Sequence, residues 1–286
     1  MIVMKLMGGL GNQMFQYALG RNLAARHRTK LKLDPSQLGN ATPPRGYDLD
    51  IFNTEAEFAS DEEIFRMSKR TSISLLDRGL NRIVGTKERY IREPHFHFAE
   101  EILSLPDGIY LEGYWQSERY FRDIEPQIRA EFSFKEEIAE GSLNLLERIR
   151  GENSVCVNVR RGDFVTNSFH GTQGTDYYRR AEELIRQRTE GRTFYVFSDE
   201  IDWCRENLKF DSPAVFVSHE HAGPKFRDYL RLMSACKNFI IPNSSFAWWA
   251  VWLSEAHDKL VVAPKAWFGD PDVDTSDLVP ADWLRA

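Results

Sequence analysis

The residues best suited to chemistry lie in short polar stretches that follow apolar runs. In VCVNVRRGDFV, residues 155–165, a buried-strand pattern ends in adjacent arginines, Arg160 and Arg161. Alternation sends neighbouring side chains to opposite sides of a strand unless the strand has already ended. An arginine there can grip a diphosphate through two parallel N–H bonds, and Asp163 can hold such a side chain in place. A strand-end salt bridge would account for the same residues without a ligand. The RGD tripeptide at 161–163 follows a core strand, which argues against an adhesion loop. In IIPNSSFAWWAVWLS, residues 240–254, Asn243, Ser244 and Ser245 stand between a strand and an apolar helix at capping positions. Hydroxyls and free N–H groups at a helix start can cradle a phosphate. In YVFSDE, residues 195–200, Asp199 or Glu200 could accept from the ring N–H and amine of guanine, or cap the helix that follows.

The opening MIVMKLMGGLGNQMFQYALG adds another loop of this kind. Ile2–Met7 reads as a buried strand, and Met14–Arg26 has helical apolar spacing. Glycines 8, 9 and 11 between them permit positive φ and close approach of another molecule, with phosphate the expected anion. Gly9 and Gly11 would lend backbone to a donor phosphate; Asn12 and Gln13 would orient a sugar hydroxyl or a phosphate oxygen. Gly9-x-Gly11 with Asp34 on the next strand also approximates a dinucleotide fingerprint, although Met14 stands where a third glycine belongs. An NAD-dependent oxidoreductase is therefore one alternative, and a non-catalytic sugar- or nucleotide-binding module is another. No Walker A, HExxH or Cys/His zinc spacing occurs. Asp48-Leu49-Asp50 and Asp272-Val273-Asp274 match a loose DxD, but neither follows a clean buried strand.

Strand and helix patterns that could position these loops alternate along the whole chain. Strands are expected at 30–34, 109–116, 155–159, 193–197, 214–217, 239–241 and 260–263. Helices are expected at 118–130, broken near Pro126, and at 177–188, 201–208, 225–236 and 246–254. A polar stretch at 135–153 reads as a connection between halves. Such alternation implies parallel sheets covered by helices, with ligands beyond the carboxyl ends of the strands. Trp248, Trp249 and Trp252 read as core because the helix carrying them is apolar throughout.

The 286 residues suffice for one large or two medium domains. A net charge of −6 argues against a general nucleic-acid binder. No run is long enough to span a bilayer. The first residues do not read as a signal peptide, and Cys156, Cys204 and Cys236 read as reduced core thiols. A cytoplasmic enzyme is expected. The basic segment 66–92 could give peripheral contact with the inner membrane through anionic lipid, but a surface helix packed on its own domain is preferred.

Taken together, GGLGNQMFQYALG at 8–20, YDLDIFN at 47–53, LEGYWQSERYF at 111–121, NVRRGDF at 158–164, YVFSDE at 195–200 and NSSFAWWAVWL at 243–253 resemble the bacterial α-1,2-fucosyltransferases. These are inverting transferases that use GDP-fucose. The resemblance implies an α/β fold of glycosyltransferase-B type, two Rossmann-like domains facing a cleft, with no metal required. It implies an acceptor-side domain at 1–150, a GDP-fucose-binding domain at 151–286 and a galactoside-containing oligosaccharide as acceptor. It makes Arg160 the diphosphate-binding arginine of an HxRRxD motif, with Arg161 and Asp163 beside it. Ser244, Ser245 and Phe246 become the donor-phosphate loop, Asp199 or Glu200 the guanine reader, and Asn12 a residue near the reacting sugar. Asn158 stands where the motif usually begins with His; its amide can hydrogen-bond the donor but cannot carry charge. The proton acceptor is left open among Asp163, Glu118 and Asp123, and a carboxylate bound to arginine is a poor base.

Overall fold

Two parallel sheets, each flanked by helices, account for the alternating patterns. The structure, a computed structural model, describes residues 1–40, 45–68, 89–166, 169, 171–270 and 272–286. The chain divides into two units, Met1–Ser133 and Phe134–Ala286.

Unit 1 contains β1 (Ile2–Lys5), α1 (Leu10–His27), β2 (Leu31–Asp34), β3 (Glu57–Phe58), α2 (Asp61–Ser68), β4 (Tyr90–Arg92), β5 (Tyr110–Glu112) and α3 (Glu125–Glu131). Its strands are ordered β3-β2-β1-β5-β4, every pairing parallel. Unit 2 contains α4 (Leu143–Gly151), β6 (Asn153–Val159), α5 (Thr175–Arg186), β7 (Arg192–Ser198), α6 (Ile201–Asn207), β8 (Ala214–Phe216), α7 (Arg227–Ser234), β9 (Asn238–Ile240), α8 (Ser245–Leu253), β10 (Val261–Ala263) and β11 (Leu284–Arg285). Its order is β11-β10-β9-β6-β7-β8, again all parallel.

The strand order decides where each unit can bind. In unit 2 the chain builds outward from β6 through β7 to β8, then returns to place β9 on the other side of β6. In unit 1 it builds outward from β1 to β3 and returns to place β5 against β1. Where the order reverses, successive crossovers leave on opposite faces of the sheet and open a crevice at the carboxyl edge. The reversals fall between β6 and β9 and between β1 and β5. The core strands are apolar because helices cover both faces. Val155, Val157, Phe194, Val196, Ile240 and Val262 are all fully buried in one cluster.

Several expectations need correction. The stretch 135–153 is more than a connection: Leu146 and Ile149 of α4 are buried, and α4 packs on β6 and α7. That packing puts 134–150 with unit 2, so the boundary lies upstream of residue 150. The expected strand 109–116 spans only Tyr110–Glu112; the chain then leaves the sheet in a loop in which Trp115 takes a left-handed φ of 56° and so cannot continue an extended strand. The expected helix 225–236 starts two residues late, since Lys225 and Phe226 have φ of 53° and 59°. Trp248, Trp249 and Trp252 are core as expected, and all three cysteines are buried and free. Most of the basic segment 66–92, residues 69–88, lies outside the described residues. Among the described residues no helix is long and apolar enough to cross a membrane.

Candidate active site

In unit 2 the crevice at the β6/β9 reversal is flanked by the loops singled out from sequence. β6 ends at Val159, so both arginines lie beyond it, outside strand alternation, and their side chains take different partners. Arg160 is held between two carboxylates: Nη1 donates to Asp199 Oδ2 at 2.7 Å and Nη2 donates to Asp163. The Arg161 backbone N–H donates to Asp199 Oδ1 at 3.0 Å, and its Nε donates to Glu200 Oε2 at 2.8 Å. Its guanidinium lies 3.8 Å from the ring centre of Trp203, a cation–π contact that fixes the plane of the fork. Asp199 thus organises both arginines, and parallel pairing of β6 with β7 explains why, since Val159 stands opposite Ser198. Gly162 makes the approach possible: its φ is +25°, and a Cβ there would come within 2.6 Å of Asp199 Oδ2. Both acids proposed as guanine readers are therefore bound to arginines in this structure.

On the other side of β6, Pro242 and Asn243 lead from β9 into α8. Ser244 is the N-cap residue, yet its side chain makes no capping bond among the described residues. Asn243 is almost wholly buried, donating to Gly171 O and accepting from Gln173 Nε2, each at 3.4 Å. It anchors the 171–173 loop. Ser245 and Phe246 open the helix and are half-buried. A helix start carries unpaired N–H groups and partial positive charge, so the β9 loop offers donors where the β6 loop offers guanidinium. Asn158, near the end of β6, points inward: Nδ2 donates to Phe197 O at 3.3 Å, and it is 8% exposed. In this structure that amide ties β6 to β7.

Unit 1 presents amides at its own reversal. Gly9 is the N-cap of α1 and Gly11 lies buried in the first turn. Of the three turn glycines only Gly8 uses its freedom, with φ +74°, and a Cβ there would overlap the Asn12 amide nitrogen. Asn12 Oδ1 accepts from Gln116 Nε2 at 2.7 Å, bridging the loops after β1 and β5. Gln13 is fully buried, donating to Gly8 O and Gly46 O and accepting from Asp48 N at 2.9 Å. Gln16 does the same for Met7 and Gly113. Gln13, expected to orient a ligand, is structural because its bonding capacity is used by backbone; Asn12 alone of this set stays half-exposed. Asp34 is committed too, accepting from Tyr110 OH at 2.5 Å and Ser36 N at 2.9 Å, which removes it as a ribose reader.

The remaining acids are similarly placed. Asp48-Leu49-Asp50 enters a short 3₁₀ turn, and Asp274 accepts from Ser276 N at 2.9 Å. Glu118 pairs with Arg122 at 2.6 Å, and Asp123 pairs with Arg26. Two residues at these edges escaped the sequence reading. Trp203 gave no signal beyond an aromatic in the first turn of the helix that follows a polar loop. Glu93 sits in REPHFHF after a strand too short to recognise.

The family model for glycosyl transferase family 11 matches residues 57–285. An alpha-1,2-colitosyltransferase of Escherichia coli is 32% identical over 99% of this chain and 98% of its own length. The O-antigen biosynthesis glycosyltransferase WbnK of Escherichia coli is also 32% identical, over 98% of each chain. The crystal structure of selenomethionine fucosyltransferase NodZ from Bradyrhizobium superposes with a TM-score of 0.50 at 15% identity, covering 88% of this chain and 91% of that one. That likeness is one of fold: two units, each a parallel sheet flanked by helices, of glycosyltransferase-B type. With nearly the whole chain aligned and a family model spanning most of both sheets, the oxidoreductase alternative falls, and the chain belongs to glycosyl transferase family 11.

Proposed function

We propose that this glycosyltransferase moves L-fucose from GDP-β-L-fucose to the 2-OH of a β-galactoside, with inversion, forming an α-1,2 linkage. One observation carries the reading: a pair of oriented arginines and a helix start flank the same strand-order reversal in unit 2. Breaking the sugar–phosphate bond leaves positive charge on the ring and negative charge on the departing GDP. Arg160 and the first N–H groups of α8 stabilise that negative charge, the part a metal plays in other transferases. The reaction then needs no metal. Unit 2 is the donor side, and unit 1, with Asn12 at its edge, is the acceptor side.

The relative named for colitosyl transfer favours a second reading of the donor, in which another GDP-sugar replaces GDP-fucose. Phosphate-binding residues specify the sugar poorly, so the two readings share every residue above. A panel of GDP-sugars against galactosides, with and without EDTA, separates them. GDP-fucose is expected to give an α-1,2-linked product at the same rate in EDTA. Product from a different GDP-sugar alone replaces the donor. Protection from unfolding by GDP but not NAD is expected as well, and binding of GDP-fucose without product from any galactoside would leave only a binding module.

A further inference from the structure

The attacking hydroxyl must lose a proton, and the acids proposed from sequence for that task are all held by cations: Asp163 by Arg160, Glu118 by Arg122, Asp123 by Arg26. One carboxylate at the carboxyl edge of the unit 1 sheet is held differently. Glu93 directly follows β4, and its backbone N–H donates to Glu112 O at 2.8 Å, extending the pairing with β5. Its Oε2 accepts from Tyr114 N at 2.7 Å and its Oε1 from Trp115 N at 2.8 Å. Backbone amides orient the group without cancelling its charge, and a carboxylate with about four acceptor sites keeps one free on each oxygen. No Lys or Arg among the described residues forms an ion pair with it. Burial raises its carboxyl above the ordinary value, outweighing the two backbone bonds and the nearby His95.

The loop that Glu93 grips bears the marks of a site kept for function at some expense in stability. Trp115 holds a left-handed φ of 56°, a cost of about 1–2 kcal/mol for a residue with a Cβ. Trp115 Nε1 and Gln116 Oε1 are buried with no hydrogen-bond partner among the described residues, and groups so left are rare in native folds. Gln116 Nε2 then reaches Asn12, so the hydrogen-bonded chain runs from Glu93 through 114–116 to the glycine turn. Gly113 permits the grip, since a Cβ there would meet Glu93 Oε2 and Trp115 Cε2 at 2.8 Å each.

We propose that Glu93 is the general base of the transfer, taking the proton of the acceptor hydroxyl. The O–H bond breaks toward the Glu93 carboxylate as the hydroxyl oxygen bonds to the anomeric carbon. The bond from that carbon to the diphosphate oxygen breaks, and its electron pair leaves with GDP. The inference rests on the transferase reading above. The groups facing Glu93 are His95 on its own segment and Tyr114 from the loop after β5, whose hydroxyl is itself raised by burial and by this carboxylate. Lys5, Tyr90 and Arg92 face Glu112 instead.

The test compares wild type with E93Q from about pH 5 to about pH 9. Turnover of E93Q should fall about 10²–10⁴-fold, the acid limb of the wild-type profile should vanish, and thermal protection by GDP should persist. E93A should regain donor turnover with azide, a nucleophile with no proton to lose, yielding the inverted glycosyl azide. An active wild type whose E93Q variant keeps near-normal turnover and the same acid limb overturns the assignment. So does an E93A variant that binds GDP yet ignores azide, which would make Glu93 a clamp for the loop. A wild type inert with every GDP-sugar overturns the transferase reading itself, and this inference with it.

Discussion

The two sheet edges share a topology and differ in chemistry. At the β6/β9 reversal the side chains are ionic: Arg160 and Arg161 interlock with Asp163, Asp199 and Glu200. At the β1/β5 reversal they are mostly amides: Gln13 and Gln16 spend their bonds on backbone while Asn12 and Gln116 bridge two loops. A parallel sheet with a reversed strand order supplies a crevice; side chains at the first few loop positions decide what it can hold. Fixed charge suits a diphosphate, whereas neutral donors and acceptors suit hydroxyls, which need direction more than charge.

Substitutions at the ionic edge should give the largest effects. Arg160→Ala is expected to lower kcat about 10²–10³-fold, as loss of a preorganised donor at a developing oxyanion does. Near-normal turnover in a rate assay at saturating GDP-sugar would place the diphosphate elsewhere. Gly162→Ala should weaken GDP binding about tenfold or more, as Asp199 Oδ2 is pushed off the Arg160 guanidinium, a charge-assisted bond worth about 1.5–3 kcal/mol. Calorimetric titration with GDP checks it, and an unchanged Kd would separate the Asp199 network from nucleotide binding.

At the amide edge the effects should be smaller and should leave GDP alone. Gly8→Ala forces a Cβ onto the Asn12 amide at positive φ, a penalty of about 1–2 kcal/mol from the backbone alone. The expected result is a lower Tm and reduced transfer with GDP affinity intact; parallel loss of GDP binding would show that the edges do not divide the work. Salt gives the gentlest comparison. Raising ionic strength from about 0.01 M to about 0.15 M shortens the screening length from about 30 Å to about 8 Å, so the Kd for GDP should rise while KM for a neutral galactoside holds. Glu93 adds a dependence of known sign. Its carboxyl is raised in the fold, so the native state binds that proton more tightly than the unfolded chain does. Stability from this group is full below the unfolded pKa and is lost as pH rises through the folded one. Chemical unfolding should show that decline flattened in E93Q.

The periodicities foretold nearly every element of unit 2, because β6 and β7 are seven residues long and apolar and the shorter apolar runs around them alternate regularly with helices. Unit 1 was less legible. β3 and β4 are two and three residues long and neither is buried, so no apolar run marks them; in unit 2, α4 was missed because its buried residues, Leu146 and Ile149, are scattered among charges. Glu93 was invisible for the same reason: without a recognisable strand before it, nothing marked it as a strand-end residue.

By itself the sequence determined which side chains stand at the carboxyl ends of the core strands, since apolar runs and turn residues are local properties of the chain. It also carried enough matching stretches to identify a family of transferases. Only the tertiary structure decided the partners. Hydrogen-bond geometry between segments distant along the chain set Asp199 across Arg160, buried Gln13 and Asn158 in structural duties, and gave Glu93 two backbone N–H groups in place of a cation. A carboxylate is a clamp, an ion-pair partner or a base according to what the fold brings within about 3 Å of it, and that distance is written in strand order, which no local pattern encodes.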